Sequence, residues 1–490
     1  MASRLPAFAL IAALPLALAA GAPADSAGSA DSTAQPEVMA SGAAVQAIRE
    51  AVDAIIAEGD LPTAQWGIYV RDLTDGSTVY ARGADHLFLP ASNLKLVTTA
   101  LALDVFGPGH RFATRLYFDG ETSPDGVMRG DLVVRGAGDP TFGSRASGND
   151  PFVAWADALK AAGVRSIEGR LLGDDDVVEE NPWAEGWDVS LVAGEQYAQG
   201  VGGLSWGDNL IGVTVRGGRV ETSPPDFAVI DGPSGSGGLR IARRLGTNVI
   251  DVRGAGANAS VMIPIEHPTR YALHAFRQAL QSRDIAVNVE LVDADDLPGE
   301  PDYASMGAPL LAHLSPPLSE IVTHINRRSD NFYAEQLFRV SSPDGAATGA
   351  SARAIALLGR AGTATDGLSI RDGSGLSRKD LVSPRALVDL LAYMDRHEHR
   401  TTFIASLPSG GGAGSTLSRR LSDLDVQAKT GSLEYARALT GYVRGPNGRR
   451  LAFSVIANNY TTRSGRIVDA VDRVVRAIAT GQRVEAEAGR

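Results

Sequence analysis

Apolar positions near the start of the chain recur at helical spacing. Val45, Ile48, Val52, Ile55 and Ile56 predict an amphipathic helix over Ala43 to Glu58, stopped by Gly59. The period then changes. Trp66 to Leu73 and Ser77 to Ala81 read as two strands joined by the turn residues Thr74-Asp75-Gly76. Leu94 to Phe106 is an apolar run that predicts a helix beginning near Ser92 and stopping at Gly107-Pro108. From 113 to 299 the texture differs. Short strand-like runs (Thr114 to Phe118, Gly130 to Val134, Leu210 to Val215, Asn248 to Val252, Ala286 to Leu291) alternate with Gly, Pro, Asp and Ser turns. Helical patches occur near Phe152 to Ala162 and Pro268 to Ser282. This predicts a mainly β, mixed insert of one or two subdomains. Gly232 to Gly238 reads as a surface loop, because no lysine follows it and no strand–helix pattern flanks it.

From about Ser315 helical spacing returns. Leu318, Ile321, Val322 and Ile325 mark one helix, Phe332 to Phe338 a second and Pro384 to Met394 a third. Ala436 to Val443 and Arg450 to Asn458 predict a strand pair around Pro446-Asn447-Gly448, and Ile467 to Ile478 a closing amphipathic helix. No internal repeat recurs at a fixed period.

At 490 residues the chain exceeds what one hydrophobic core usually serves, so two or three domains are expected. Apolar content of 44% and charged content of 21% describe an ordinary globular protein. A net charge of −11 leaves no basic footprint, which argues against nucleic acid as a partner and against a polybasic membrane anchor. Residues 1–24 read as an export signal: Arg4, an apolar stretch from Leu5 to Leu18, and a small-residue site at Ala17-Leu18-Ala19 or Ala20-Gly21-Ala22. The stretch is shorter than a typical span and is broken by Pro6 and Pro15, so export to a periplasmic or extracytoplasmic location is favoured over an anchor. Residues 25–42 read as a flexible leader. Without cysteine the chain can form no disulfide and no thiolate zinc site.

The lysine count changes the picture. There are four lysines, Lys95, Lys160, Lys379 and Lys429, against 42 arginines. Arginine cannot give up its proton at working pH and a buried lysine can, so a proton-carrying role requires lysine. Two of the four lie in short motifs that follow one another along the chain: Ser92-Asn93-Leu94-Lys95 (S-x-x-K), Ser329-Asp330-Asn331 (S-x-N) and Lys429-Thr430-Gly431 (K-T-G). On a helix Ser92 and Lys95 share one face, so the amine can reach the hydroxyl and act as its base. Ser329-Asp330-Asn331 falls between two predicted helices, where a polar loop faces a cleft. Lys429-Thr430-Gly431, just before the strand pair, can bring a cation and hydroxyls to a substrate carboxylate. Two decoys compete. Ser147-Gly148-Asn149 also reads S-x-N but sits in a Gly-rich turn. Gly203-Leu204-Ser205-Trp206-Gly207 matches G-x-S-x-G, yet a strand rather than a helix follows it, which excludes a hydrolase elbow. His397 and His399 flank Glu398 on a charged surface and read as solvated.

The three motifs in this order resemble the signature of penicillin-interacting serine acyltransferases. With Gly136-Ala137-Gly138-Asp139-Pro140, Ser315-Pro316-Pro317-Leu318-Ser319-Glu320, Asp372-Gly373-Ser374-Gly375-Leu376-Ser377-Arg378 and Ala457-Asn458-Asn459, the chain over roughly residues 45–480 resembles the D-alanyl-D-alanine carboxypeptidase/endopeptidases among the class C, low-molecular-mass penicillin-binding proteins. Ser329 lies 237 positions after Ser92, a spacing similar to a family that inserts extra domains there; class A β-lactamases place the two far closer. The resemblance implies an α/β (α+β) fold: a transpeptidase/β-lactamase-like domain from residues 43–112 and 300–482, an antiparallel sheet between helical layers, with 113–299 inserted and 483–490 as a tail. It implies Ser92 as nucleophile and Lys95 as base. Ser329 and Lys429 would carry the proton to the leaving amine, and Asn331 would position the peptide. Thr430, Gly431 and Ser432 would line the substrate-carboxylate site. Asp174 would meet a diamino-acid ammonium, unless Asp174-Asp175-Asp176 is a plain solvated turn. The implied partners are peptidoglycan stem peptides and β-lactams, with no metal or cofactor. A non-catalytic peptidoglycan-binding or β-lactam-sensing module and a β-lactamase are the alternatives. The Gly410 to Gly414 run is either a cleft edge or a plain loop.

Overall fold

In a computed structural model the described residues are 35–146, 148, 150–235, 237–254, 258–483 and 485. The export segment and most of the leader lie outside them, as do Ser147 and Asn149 of the second S-x-N and Ser236 of the glycine loop. Residues 44–490 form one compact unit and residues 1–43 another; the described part of the latter is the start of helix α1 (Gln35–Ile56). Among the described residues no helix is long and apolar enough to cross a membrane.

The larger unit is built on a five-stranded antiparallel sheet. Its strands are β1 (Gln65–Asp72), β2 (Thr78–Arg82), β3 (Val426–Leu433), β4 (Ala436–Arg444) and β5 (Arg450–Asn458), in the spatial order β3-β4-β5-β1-β2. Strand β5 is buried almost end to end, because helices cover both faces. On one face α1 presents Ile48, Val52 and Ile55, and the last helix, Ser464–Thr480, presents Ile467, Val471, Val474 and Ile478, against Ile68, Val70, Phe453 and Val455. On the other lies helix α2 (Lys95–Phe106). Its side chains are buried from Lys95 to Leu103, which is why the sequence shows an apolar run there and no stripe. Helices α3 (Leu318–Arg328), α4 (Asn331–Val340), α5 (Ala347–Arg360) and α6 (Pro384–Met394) pack around it. The expected elements are present to within a few residues, except that α1 begins at Gln35, inside the leader expected over 25–42, and not at Ala43. Helix α5 was not anticipated, because the Ala- and Gly-rich run over 347–360 carries few large apolar residues to betray its buried face.

The insert is mainly β and mixed, as expected. A second five-stranded sheet runs in the order 286–293, 166–174, 127–135, 113–122, 311–314, and strand 166–174 pairs in parallel with both of its neighbours. Helices Pro151–Ala161 and Pro268–Gln281 cover it with Phe152, Trp155, Phe276 and Leu280. Two three-stranded sheets, 210–216 with 219–223 and 259–264, and 229–234 with 240–243 and 249–253, make the smaller β part. Strand Leu311–Leu314 pairs with Ala113–Thr122, so the inserted sheet runs past the boundary expected at 299. A four-residue edge strand is too short for its period to show in the sequence. Between strands 166–174 and 210–216 the chain follows a long irregular course, with a short helix at Val189–Gly194.

Candidate active site

The three motifs meet at the sheet edge formed by β3. Ser92 sits in a 3₁₀ turn, Ala91–Leu94, that runs directly into α2, where residues three apart eclipse one another. Lys95 is fully buried, and its Nζ donates to Ser92 Oγ at 3.0 Å, Asn331 Oδ1 at 2.7 Å and the Ser374 carbonyl at 2.6 Å. Three acceptors use all three protons of an ammonium. A neutral amine keeps two of these bonds and turns its lone pair to the third. Only Ser92, among the three acceptors, has a proton to give. The geometry therefore defines one direction of proton transfer.

Burial pushes the Lys95 amine down to about 8, against the opposing pull of Asp372, Asp330, Glu335 and Asp380. Lys429 is also fully buried, and desolvation followed by repulsion from Lys95 holds its amine well below the ordinary lysine range. Its Nζ donates to Ser329 Oγ and to the Thr430 carbonyl, each at 2.8 Å. Strand β3 carries Lys429 opposite Thr440, and Thr440 Oγ1 accepts from Asn93 Nδ2 at 2.7 Å, which fixes the serine turn to the sheet.

Ser329-Asp330-Asn331 turns the corner between α3 and α4. Ser329 takes the left-handed conformation (φ 61°) at the end of α3, and the Asp330 carboxylate caps α4 by accepting from the Tyr333 N–H at 3.0 Å. Asn331 is engaged before any substrate arrives. Besides accepting from Lys95, it donates from Nδ2 to the Tyr197 carbonyl at 2.8 Å. Holding the amine is thus added to the expected task of positioning a peptide.

The block 372–378, which carries part of the family resemblance, has a structural task. The Asp372 carboxylate is wrapped by donors: the N–H groups of Ser374, Gly375, Leu376 and Ser377, the Ser374 hydroxyl, and the Trp187 indole at 2.7 Å. This fold of the loop presents the Ser374 carbonyl to Lys95. Gly375 must be glycine: at φ 78° a Cβ would stand 1.9 Å from the Ala91 carbonyl oxygen.

A cleft of about 760 Å³ opens over these groups, lined by Ser92, Ser329, Asn331, Thr430 and Ser432. The remaining lining includes Asp188, Tyr197, Arg378, Glu434 and Arg437, which the motifs did not single out. Asp188 and Tyr197 come from a segment far from the motifs, so no local spacing announces them; Arg378 ends the 372–378 block, and Glu434 and Arg437 follow Ser432 closely. Thr416, just after the Gly410 to Gly414 run, also lines the cleft, and its Oγ1 accepts from Thr430 Oγ1 at 2.8 Å.

Asp174 is not among the lining residues and is not a solvated turn either. It is 4% exposed, accepts from the Tyr303 hydroxyl and faces Arg135 Nε at 3.4 Å. Its charge is already matched inside the insert, which corrects the substrate-binding expectation. Asp174→Asn is expected to leave kcat/KM on a diamino-acid peptide within about twofold while costing about 2 kcal/mol of stability; steady-state kinetics and thermal melting check both. Ser205 of the G-x-S-x-G decoy is buried and donates to the Gly202 carbonyl, with a strand following. His397 faces Asp104 at 3.4 Å. Among the described residues one group, Asp175, Asp293 and Asp295, brings three carboxylates together, and none of them lines the cleft.

A buried lysine on a serine hydroxyl, a second lysine on a second serine, and both at the edge of an antiparallel sheet between helical layers define a serine acyl-enzyme hydrolase of the penicillin-interacting class. The model of the D-Ala-D-Ala carboxypeptidase 3 (S13) family matches residues 48–478, and the chain belongs to that family. A D-alanyl-D-alanine carboxypeptidase of Actinomadura sp. is 33% identical over 456 residues, covering 86% of this chain and 83% of its own. The D-alanyl-D-alanine carboxypeptidase DacB of Haemophilus influenzae is 24% identical, over 81% of this chain and 86% of its own. The crystal structure of penicillin binding protein 4 from Haemophilus influenzae shares the fold, with a TM-score of 0.75 at 21% identity, over 88% of this chain and 99% of that one. That protein has also been solved with a β-lactam (TM-score 0.71). The chain is thus a serine-type D-Ala-D-Ala carboxypeptidase, a hydrolase.

Proposed function

We propose that this protein cleaves D-alanyl-D-alanine-type bonds of peptidoglycan stem peptides through an acyl-enzyme on Ser92, and that β-lactams trap it there. The observation that carries the reading is the Lys95 amine, buried, lowered to about 8 and 3.0 Å from Ser92 Oγ. Neutral Lys95 takes the Ser92 proton as Oγ bonds to the scissile carbonyl carbon. Backbone N–H groups of Ser92 and Ser432 hold the oxyanion. The C–N bond then breaks, and the leaving amine takes a proton relayed from Lys429 through Ser329. Thr430 and Ser432 bind the terminal carboxylate, which the Arg437 cation favours electrostatically. Water then attacks the ester and passes its proton through Ser329 to the Lys429 left neutral, while protonated Lys95 returns its proton to Ser92 Oγ as the C–O bond breaks and the acid leaves. No step calls for a metal or cofactor. The same reading places the protein outside the cytoplasm, where its polymeric substrate lies.

The test is intact-protein mass spectrometry after a benzylpenicillin pulse, with peptide mapping, followed by digestion of a pentapeptide muropeptide. A Ser92 adduct and release of terminal D-Ala are expected. No adduct and no release from folded protein would overturn the reading and leave a binding module.

The lysine values set the pH response. Acylation needs neutral Lys95, whose ammonium form dominates below about 8. The acylation rate is expected to fall about tenfold per pH unit well below that point and to level off above it. Stopped-flow acylation by a chromogenic β-lactam from pH 5.5 to 9.5 reads this directly; a rate flat from pH 6 to 9 would remove Lys95 as the base.

A further inference from the structure

Lys95 has three acceptors, and two of them are held by the insert. Asn331, which accepts from Lys95 at 2.7 Å, gives its own amide to the Tyr197 carbonyl at 2.8 Å. Ser374, whose carbonyl accepts from Lys95 at 2.6 Å, is held by the Asp372 carboxylate, and Asp372 Oδ2 accepts from Trp187 Nε1 at 2.7 Å. Trp187 and Tyr197 both belong to the irregular segment between insert strands 166–174 and 210–216.

That segment is firmly seated. Ser377 Oγ donates to the Glu185 carbonyl at 2.6 Å, and Lys379 Nζ pairs with Glu185 at 2.6 Å. Trp187 packs with Ala184, Val192, Ala198 and Leu376. Gly186 lies so close that a Cβ would stand 2.5 Å from Ser377 Oγ. A loop that only roofed a cleft would need none of these bonds to the acceptors of a buried amine.

We propose that segment 183–198 of the insert is a positioning element for the general base, with Trp187 acting on Lys95 through Asp372 and the Ser374 carbonyl. The inference rests on the acyl-enzyme reading above and deepens it: the insert then belongs to the catalytic apparatus as well as to the substrate cleft.

The groups facing Lys95 fix the sign of the effect. Asp372 and Asp380 face it from the 371–380 loop, Asp330 and Glu335 from α4 and its cap, and Lys429 from β3. Glu335 is paired with Arg339 at 2.8 Å, so its field is partly cancelled. Asp372 is the largest of the charges favouring the ammonium. The indole N–H offsets part of that charge, and its removal strengthens the pull of Asp372 on the Lys95 proton. Removing the Asp372 charge does the reverse.

The experiment compares the pH profile of benzylpenicillin acylation in the parent, Trp187→Phe and Asp372→Asn, each checked for folding by thermal melting. Phenylalanine keeps an aromatic ring against Leu376 but removes the N–H and the volume of the second ring, so the midpoint of the profile is the readout and not its height. Trp187→Phe is expected to move the acid limb about 0.5 pH unit towards alkaline and so to slow acylation at pH 7 about threefold. Asp372→Asn is expected to move it towards acid. A Trp187→Phe profile with an unmoved midpoint, whatever its height, would make Trp187 a packing residue and overturn the inference, as would an alkaline shift in Asp372→Asn. Should Asp372→Asn fail to fold, the Trp187→Phe midpoint alone decides. A parent that forms no Ser92 adduct would overturn the acyl-enzyme reading itself, a result distinct from an unmoved midpoint in a parent that does.

Discussion

Ser92→Ala is expected to abolish both release of terminal D-Ala and covalent capture of benzylpenicillin, a loss of roughly 10⁴–10⁶-fold in turnover. Alanine removes the only atom that can form the ester and leaves the surroundings in place. Ser92 stands in a turn whose conformation depends on Pro90, Ala91 and the Asn93–Thr440 bond, none of which involves its hydroxyl. The variant should therefore fold and still bind peptide. Mass spectrometry after a penicillin pulse reads the adduct, and amino-acid analysis of a muropeptide digest reads the product. An adduct that survives in Ser92→Ala would place the nucleophile elsewhere.

Lys95→Arg is expected to slow acylation by roughly 10²–10⁴-fold, the usual worth of a general base. Two physical reasons act together. A guanidinium stays protonated at any pH the protein tolerates, so it cannot take the Ser92 proton. The site is also cut to an ammonium: its three acceptors lie 2.6–3.0 Å from a single nitrogen, in a position with no solvent exposure. The planar fork of arginine cannot meet three acceptors converging on one point. The measurement is the acylation rate constant at pH 9, where parental Lys95 is mostly neutral and the contrast is greatest. Near-normal acylation there would transfer the role of base to Lys429.

The pair also explains why two buried lysines coexist. Each buried ammonium carries a desolvation penalty, and each raises the cost of charging the other. Lys95 has carboxylates around it that oppose the lowering; Lys429 has hydroxyl and carbonyl partners and the Lys95 charge beside it. Each amine touches the hydroxyl with which it exchanges a proton, Lys95 with Ser92 and Lys429 with Ser329.

The chain by itself determined a good deal. Ser92 with Lys95, Ser329 with Asn331, and Lys429 could be read off because each motif is local: a 3₁₀ turn, a helix corner and a strand each fix the relation of residues a few positions apart. The scarcity of lysine made those positions stand out. The catalytic sheet and its helices were legible for the same reason, since period and turn residues are properties of short windows. Tertiary structure decided what depends on residues far apart in sequence. Nothing near Trp187 signals that its indole meets Asp372, 185 positions away. Asp174 illustrates the opposite error: the family resemblance suggested a ligand contact, while Tyr303 from a short helix and Arg135 from a neighbouring strand had already matched its charge. Strand 311–314 joined the insert because an edge of another sheet offered it partners, and helix α5 formed because a neighbouring core could bury its small residues. A sequence states which chemical groups are available and how near neighbours are arranged. Which distant groups they meet is settled by packing, since burial and pairing energies are fixed only when both partners are in place.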